Sequence, residues 1–418
     1  MQPARSLRPL TPLADTSIAT ASSPAQRGSA LEVLRVATGL GLSSFGGPVA
    51  HLGYFRREYV ERRKWLDEQT YAELVGLCQS LPGPASSQLG IAIGTRRAGG
   101  LGGLAAWVGF TLPSAIALII FAGIASAVDL SQAGWVHGLK IAAVAVVALA
   151  VYQMAKRLTP DWTRRAMAVA ATVAALLLTT PFAQVAIIGV GAVVGLLILA
   201  PPPSTSSSDE QSPISRRVGL IALATFFALL IVLPLARAAD GQVAAMVDSF
   251  YRDGALVFGG GHVVLPLLHT SVVDTGWVSN DQFLAGYGAA QAVPGPLFSF
   301  SAYLGAIQAP MPNGVPGAAI ALIAIYLPSF LLIFGTLPFW HWLRRSPSFG
   351  KALAGTNAVV VGILVAALYT PIWTSAITGV LDVAVAAVAL LALMTGRVPP
   401  IVVVVACAIV GELMTLLI

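Results

Sequence analysis

Apolar residues fall along this chain in long blocks separated by short polar stretches. Blocks lie near 101–127, 137–155, 182–200, 218–236, 315–338, 356–373, 377–395 and 399–418. Each is long enough to cross a bilayer as a helix, which takes about 17–25 residues. A shorter block at 166–180 ends in Thr179-Thr180-Pro181 and reads as a hairpin with its neighbour. The stretch from Pro201-Pro202-Pro203-Ser204 to Arg216-Arg217 is polar and low in complexity, and reads as a cytoplasmic loop joining two halves. Residues 1–30, rich in Pro, Ser, Thr and Ala, read as a disordered cytoplasmic tail. No apolar core follows a basic start there, so the tail does not read as a signal peptide.

Two passages repeat. The first runs Phe45-Gly46-Gly47-Pro48, Trp65-Leu66, Gln79-Ser80-Leu81-Pro82-Gly83-Pro84 and Leu112-Pro113-Ser114. The second runs Phe258-Gly259-Gly260-Gly261, Trp277-Val278, Gln291-Ala292-Val293-Pro294-Gly295-Pro296 and Leu327-Pro328-Ser329. Arg56, Arg57, Arg62, Arg63 and Lys64 follow the first glycine cluster, whereas no Lys or Arg occurs between Arg252 and Arg344. Basic loops stay in the cytoplasm. The loop at 128–136 lacks basic residues, while its counterpart carries Arg344, Arg345 and Lys351. Matched loops thus have opposite preferences, which predicts two inverted-topology repeats, an architecture of secondary transporters.

The basic loop at 56–64 and the pair Arg96-Arg97 are both expected in the cytoplasm, so the segment between them enters and returns. Two arms of about 14 residues reach about 20 Å each, short of the roughly 30 Å hydrocarbon core. Broken or re-entrant helices with Pro-Gly-Pro at the turn fit that length. The expected division is a tail at 1–30, a first repeat at 31–160, connecting transmembrane helices at 161–240 with the loop 201–217, a second, inverted repeat at 241–375 and C-terminal transmembrane helices at 376–418.

Composition sharpens the class. The chain is 56% hydrophobic and 10% charged, with a mean hydropathy of +0.81, against about 25% charged in a soluble domain. It reads as an all-α polytopic membrane protein. The net charge of +6 sits in short clusters that suit an anionic inner leaflet rather than nucleic acid. Cys78 and Cys407 lie far apart in apolar segments and suggest neither a disulfide nor a metal site. No phosphate loop, His-Glu-x-x-His or Gly-x-Ser-x-Gly occurs. The reading is therefore not an enzyme and needs no cofactor.

The candidate chemistry lies at the breaks. Proline is favoured at the first position of a helix, so Pro84 and Pro296 read as starts of half-helices. The free amides would be those of Ala85, Ser86, Ser87 and Gln88, and of Leu297, Phe298, Ser299 and Phe300. Helix amino ends bind anions, and serine hydroxyls such as those of Ser299 and Ser301 add donors. The competing view is that Pro-Gly-Pro is only a packing turn. Gly46 and Gly47, with Gly259 and Gly260, are a second matched break that supplies either further amides or close helix packing. His51 and His262 follow the glycines and are candidates for proton coupling, or else imidazoles bonded to free carbonyls. Arg35 either pairs with Glu32 or faces an anion, Lys140 reads as snorkelling, and Glu412 is a carboxylate in the last apolar block. The basic cluster reads as a topological anchor that also attracts anions.

The stretches Ser44-Phe45-Gly46-Gly47-Pro48-Val49-Ala50-His51-Leu52, Arg62-Arg63-Lys64-Trp65-Leu66, Leu81-Pro82-Gly83-Pro84, Val257-Phe258-Gly259-Gly260-Gly261-His262 and Val293-Pro294-Gly295-Pro296 resemble the chromate ion transporter family in its long-chain, two-domain form. The resemblance covers roughly residues 31–418. It implies chromate efflux across a bacterial inner membrane, with sulfate as a mimic and chromate resistance as the outcome. Runner-up readings are a carrier of sulfate or another oxyanion, and a non-transporting membrane enzyme or scaffold. Oligomeric state stays open, a homodimer among the options. The halves are not identical, since Pro48 has Gly261 as its partner and the basic run has no counterpart.

Overall fold

The structure, a computed structural model, describes residues 28–127, 133–178, 183–201, 212–239, 241–258 and 263–417. Most of the tail, Thr179-Thr180-Pro181, most of the 201–217 loop, Gly259, Gly260 and His262 lie outside the described residues. The regular elements among the described residues are all helical. The first half holds α1 (Ala30–Ser43), α2 (Gly47–Phe55) with a π-helical continuation (Arg56–Arg62), α3 (Glu68–Ser80), α4 (Ala85–Ala127), α5 (Gly134–Leu158), α6 (Trp162–Leu177) and α7 (Ala183–Ile198). After α8 (Arg216–Ala239) come α9 (Gln242–Leu256), α10 (Val264–Val272), α11 (Asn280–Ala292), a 3-10 turn (Leu297–Ser299), α12 (Phe300–Ile307) and α13 (Gly314–Thr336). The chain ends with α14 (Trp340–Arg345), α15 (Pro347–Ala367), α16 (Thr374–Ala376), α17 (Val380–Met394) and α18 (Pro400–Leu417). Among the described residues five segments are long and apolar enough to cross a membrane: Ala85–Ala127, Gly134–Leu158, Arg216–Arg237, Gly314–Phe339 and Pro347–Ala376. The chain is an all-α polytopic membrane protein. Only 17% of the α8 window is buried, so its apolar surface faces outward, as lipid contact requires.

Helix α4 is not one rod. Ala98 and Gly99 leave helical geometry, Gly99 at φ +67°. In a continuous helix Gly94 and Gly102 would lie about 12 Å apart. Here a Cβ on Gly94 would fall 2.3 Å from the Gly102 carbonyl oxygen, and one on Gly102 2.1 Å from that of Gly94. The chain therefore doubles back, and the crossing is too close for any side chain. Gly305 and Gly317 repeat the crossing between α12 and α13, with the same 2.3 and 2.1 Å.

Short arms precede each crossing. α3 and α11 each have 13 residues, which is about 20 Å of helix. Asp67 caps α3 through the Thr70 amide, and Ser279 caps α11 through the Gln282 amide. Arg97, at the end of the first arm of α4, pairs with Glu32 at 3.2 Å and lies over the Trp65 ring at 5.0 Å. The Gly28 amide donates to the Arg97 carbonyl at 3.0 Å. The start of α1, the loop before α3 and the end of that arm thus share one level, and the breaks at 44–46 and 81–84 share the other. In the second half the Ala309 amide donates to the Trp277 carbonyl at 2.8 Å, which closes the α11–α12 hairpin in the same way.

The halves also exchange helices. α6 and α7 follow α5 in the chain but pack chiefly on α15. α17 and α18 follow α15 but pack on α5. Small residues set both contacts. A Cβ on Gly195 would lie 2.5 Å from the Lys351 carbonyl oxygen, and one on Gly138 2.0 Å from that of Cys407.

Candidate functional site

The hairpin tips of the two halves meet. The Gly83 amide donates to the Val257 carbonyl at 2.6 Å, and the Gly295 amide donates to the Ser44 carbonyl at 3.0 Å. Gly83 and Gly295 are the matched centres of the two Pro-Gly-Pro turns, and Ser44 and Val257 are the matched residues before the two Phe-Gly-Gly breaks. The serines of the two Leu-Pro-Ser triplets complete the reciprocity. A Cβ on Gly83 would lie 3.0 Å from Ser329 Oγ, and one on Gly295 would lie 2.9 Å from Ser114 Oγ. Each turn therefore seats in the other half.

Around the first turn the buried polar atoms are poorly matched by protein partners. Ser44 Oγ, Ser87 Oγ, Thr111 Oγ1, Tyr326 OH, Ser329 Oγ and Trp107 Nε1 are buried without a hydrogen bond, as is Gln88 Oε1. The Tyr326 hydroxyl faces those of Ser87 and Thr111 without reaching hydrogen-bond geometry with either. The Trp107 ring packs edge-on against Tyr326 at 5.6 Å. Buried polar groups ordinarily find partners, and these seven atoms have none. All belong to neutral side chains, and most are donors. In α4 the Gln88 amide donates to the Pro84 carbonyl at 2.9 Å, closing the first helical bond. The amides of Ala85, Ser86 and Ser87 precede that bond and have no acceptor within the helix. Beside the turns lies a cavity of about 80 Å³, lined among others by Gly46, Gly47, Gln153, Gln291 and Gly295.

A family model described as "Chromate transporter" matches residues 31–196 and 244–412, most of the chain and both halves. The chain belongs to the chromate transporter family. A "Probable chromate transport protein" of Synechococcus elongatus is 30% identical over 79% of this chain and 81% of its own. A "Chromate transport protein" of Pseudomonas aeruginosa is 26% identical over 78% of this chain and 76% of its own. Its namesake in Cupriavidus metallidurans is 26% identical over 79% of each. No solved structure matches. The family is one of transporters, not of enzymes.

The predicted residues fall into three groups. Gly46, Gly47, Pro84, Ser86, Ser87 and Gln88 lie at the meeting tips or line the adjacent cavity. So do Pro296 and Ser299, but the second turn is built differently. The Ser299 and Phe300 amides donate to the Pro296 and Leu297 carbonyls in a 3-10 turn, and Ser299 Oγ donates to the Pro296 carbonyl at 2.7 Å. That leaves fewer free amides than the α4 start offers. Ser301 Oγ is likewise turned onto its own helix, on the Phe298 carbonyl at 2.8 Å. His51 is buried between the tips: Nε2 lies 3.2 Å from the Ser44 carbonyl and Nδ1 3.3 Å from Ser86 Oγ. A carbonyl only accepts, so Nε2 carries a proton towards Ser44, while Nδ1 is paired with the Ser86 hydroxyl. His51 thus braces the same carbonyl that receives Gly295.

The other candidates stand apart. Arg35 is exposed on α1, and Glu32 has Arg97 as its partner instead. Glu412 is exposed and accepts the Trp135 amide at 2.8 Å, so it caps the amino end of α5. Lys140 does not snorkel but pairs with Asp281 of α11 at 2.7 Å. The basic run is largely matched by acids. Arg56 bonds Glu68 at 2.6 Å and Glu61 at 2.5 Å, and Arg62 and Arg63 hold Glu58 at 3.1 and 2.6 Å. Burial pushes the Glu58 carboxyl up, but Arg63 and Arg62 outweigh it and hold it below the ordinary carboxylate range. Pairing of this kind weakens the attraction that the cluster exerts on distant anions.

Sequence reasoning did not single out Thr111, Tyr326, Trp107 and Ser329, whose polar atoms are buried without a partner. A signal was present. Thr111 and Tyr326 each stand directly before a matched Leu-Pro-Ser triplet, a polar residue at one place in both repeats.

Proposed function

We propose that this protein exports chromate across a bacterial inner membrane, with the anion held where the hairpin tips of two inverted repeats meet. The observation that carries this reading is the reciprocal pair of tip contacts, Gly83 to Val257 and Gly295 to Ser44, beside buried neutral hydroxyls and an indole without protein partners. A tetrahedral dianion needs many donors and no acceptors, and hydroxyls, an indole and free helix amides supply them. Such a site separates chromate poorly from sulfate, since both are tetrahedral dianions, so sulfate competes. The amino terminus and the 56–64 loop lie in the cytoplasm, and the loop at 269–281 lies outside. Rocking of one repeat against the other breaks and remakes the tip contacts and exposes the anion to each side in turn. A negative-inside potential favours exit of an anion by about 2.3 kcal/mol per charge per 100 mV, so a dianion needs little further driving force.

Uptake of chromate into inside-out vesicles at clamped potential tests this, with and without excess sulfate. Saturable uptake that sulfate blocks is expected. Pro84→Ala combined with Pro296→Ala should impair uptake while leaving membrane insertion intact. Absence of uptake by the parent under any gradient defeats chromate export, and normal uptake by the double variant defeats the tip site.

A further inference from the structure

Among the buried carboxyls outside this site, Asp253 has an oxygen with no partner, whereas Asp248 and Asp382 are held by ion pairs. Asp253, in the last turn of α9, is only 4% exposed. Its Oδ1 accepts from Ser271 Oγ of α10 at 2.9 Å, and its Oδ2 is buried with no hydrogen-bond partner. A carboxylate in such a place, with one donor and one unmatched oxygen, holds its charge only weakly. The neighbouring charges are otherwise engaged. Asp248 of α9 takes both Arg252, on the same helix, and Arg237 of α8 at 3.5 Å. His269 of α10 has Nε2 on Asn280 at 3.2 Å and Nδ1 facing Asp274 at 3.4 Å. Helix α13, which also packs on α9, carries no Lys, Arg, His, Asp or Glu, and its one tyrosine is Tyr326. Arg252 and Asp248 are the charges that act on Asp253, with opposite sign.

Its position ties it to the tips. The next residue, Gly254, meets α13 so closely that a Cβ would lie 2.1 Å from the Ile325 carbonyl oxygen, next to Tyr326. Val257, one turn on, accepts the Gly83 amide. The first half packs its matched glycine, Gly41, on the Phe110 carbonyl in the same way, but the residue before it is Leu40. The halves thus differ by one buried carboxyl at equivalent places. A dianion at the tips opposes a second negative charge one helical turn away.

We propose that Asp253 is a proton-binding site of the transport cycle, taking up a proton when an oxyanion occupies the tips and releasing it when the anion leaves. The proton comes from water and adds to the carboxylate, so anion and proton move together. This rests on the tips being the oxyanion site.

Sulfate is the probe, because unlike chromate it carries no titratable proton near neutrality. Its binding to the purified full-length protein in detergent is measured calorimetrically, in buffers of different ionisation enthalpy, between about pH 6 and pH 9. The parent should take up about one proton per sulfate in part of this range, its affinity there falling about tenfold per pH unit. Asp253→Asn should bind sulfate with no linked proton, and Asp253→Glu should restore the linkage. Ser271→Ala keeps the carboxyl but removes its donor, and should shift the pH of half-uptake. Linked proton uptake that persists in Asp253→Asn overturns the assignment and leaves the tip site standing. Where Asp253→Asn does not fold, an unshifted Ser271→Ala profile overturns it. No sulfate binding by the parent at any pH overturns both.

Discussion

Gly83→Ala and Gly295→Ala probe the interlocked tips directly. Gly83 sits at φ +121° and Gly295 at φ +109°, where side chains are disfavoured. Backbone strain of that kind costs about 1–3 kcal/mol. At Gly83 the new methyl also lands 2.5 Å from Gln88 Nε2. Gln88 then gives up its 2.6 Å bond to the Pro82 carbonyl, worth about 1 kcal/mol. Gly83→Ala should therefore destabilise by about 2–4 kcal/mol, a factor of about 30 to several hundred in the folding equilibrium. Gly295→Ala meets Ser114 Oγ at 2.9 Å and should cost slightly less. The control is Gly99→Ala, at φ +67° and ψ −161° with nothing within 4 Å of its new Cβ, which carries the backbone cost alone, about 1–3 kcal/mol, and no lost side-chain bond. Cys78 and Cys407 are both buried, so a thiol-reactive dye reports unfolding in detergent. Melting temperature should fall in the order Gly99→Ala, Gly295→Ala, Gly83→Ala, and vesicle uptake should fall with it. If Gly83→Ala melts with the parent, or Gly99→Ala is as damaged as Gly83→Ala, the tips do not bear the constraint described here.

Val60→Cys and Thr275→Cys should label from opposite sides of the membrane with an impermeant reagent, and labelling from one side sinks the inversion. Gly94→Val and Gly305→Val force side chains into crossings where a Cβ already meets backbone at 2.3 Å, and each should cost about 1–3 kcal/mol or more in melting experiments. His51→Gln should lower stability by about 1 kcal/mol and leave the pH profile of uptake unchanged, because the imidazole braces the Ser44 carbonyl; an altered profile would make it a proton carrier. The pKa of Glu58 is depressed in the fold, so its stabilisation is full above the ordinary carboxylate pKa and lost as pH falls through the lower value. Glu58→Gln should flatten the acid side of a melting-temperature profile between about pH 5 and pH 3.

The sequence by itself determined the helical membrane class, the family and the places where helices break. Each is written locally, in block hydropathy, in the motifs and in Pro-Gly-Pro, since proline and glycine punctuate a chain wherever they stand. The site was only half legible. Ser86, Ser87 and Gln88 follow a visible break, but Tyr326 and Ser329 reach the same interior from the other half of the chain. Tertiary structure alone decided that each turn seats in the opposite half, and that Glu32 pairs with Arg97 rather than Arg35. It also decided that Glu412 is a cap while Asp253 is a buried acid with one donor. Hydropathy and turn chemistry act over a few neighbouring residues, whereas whether a polar atom is matched depends on what packing brings against it from far along the chain.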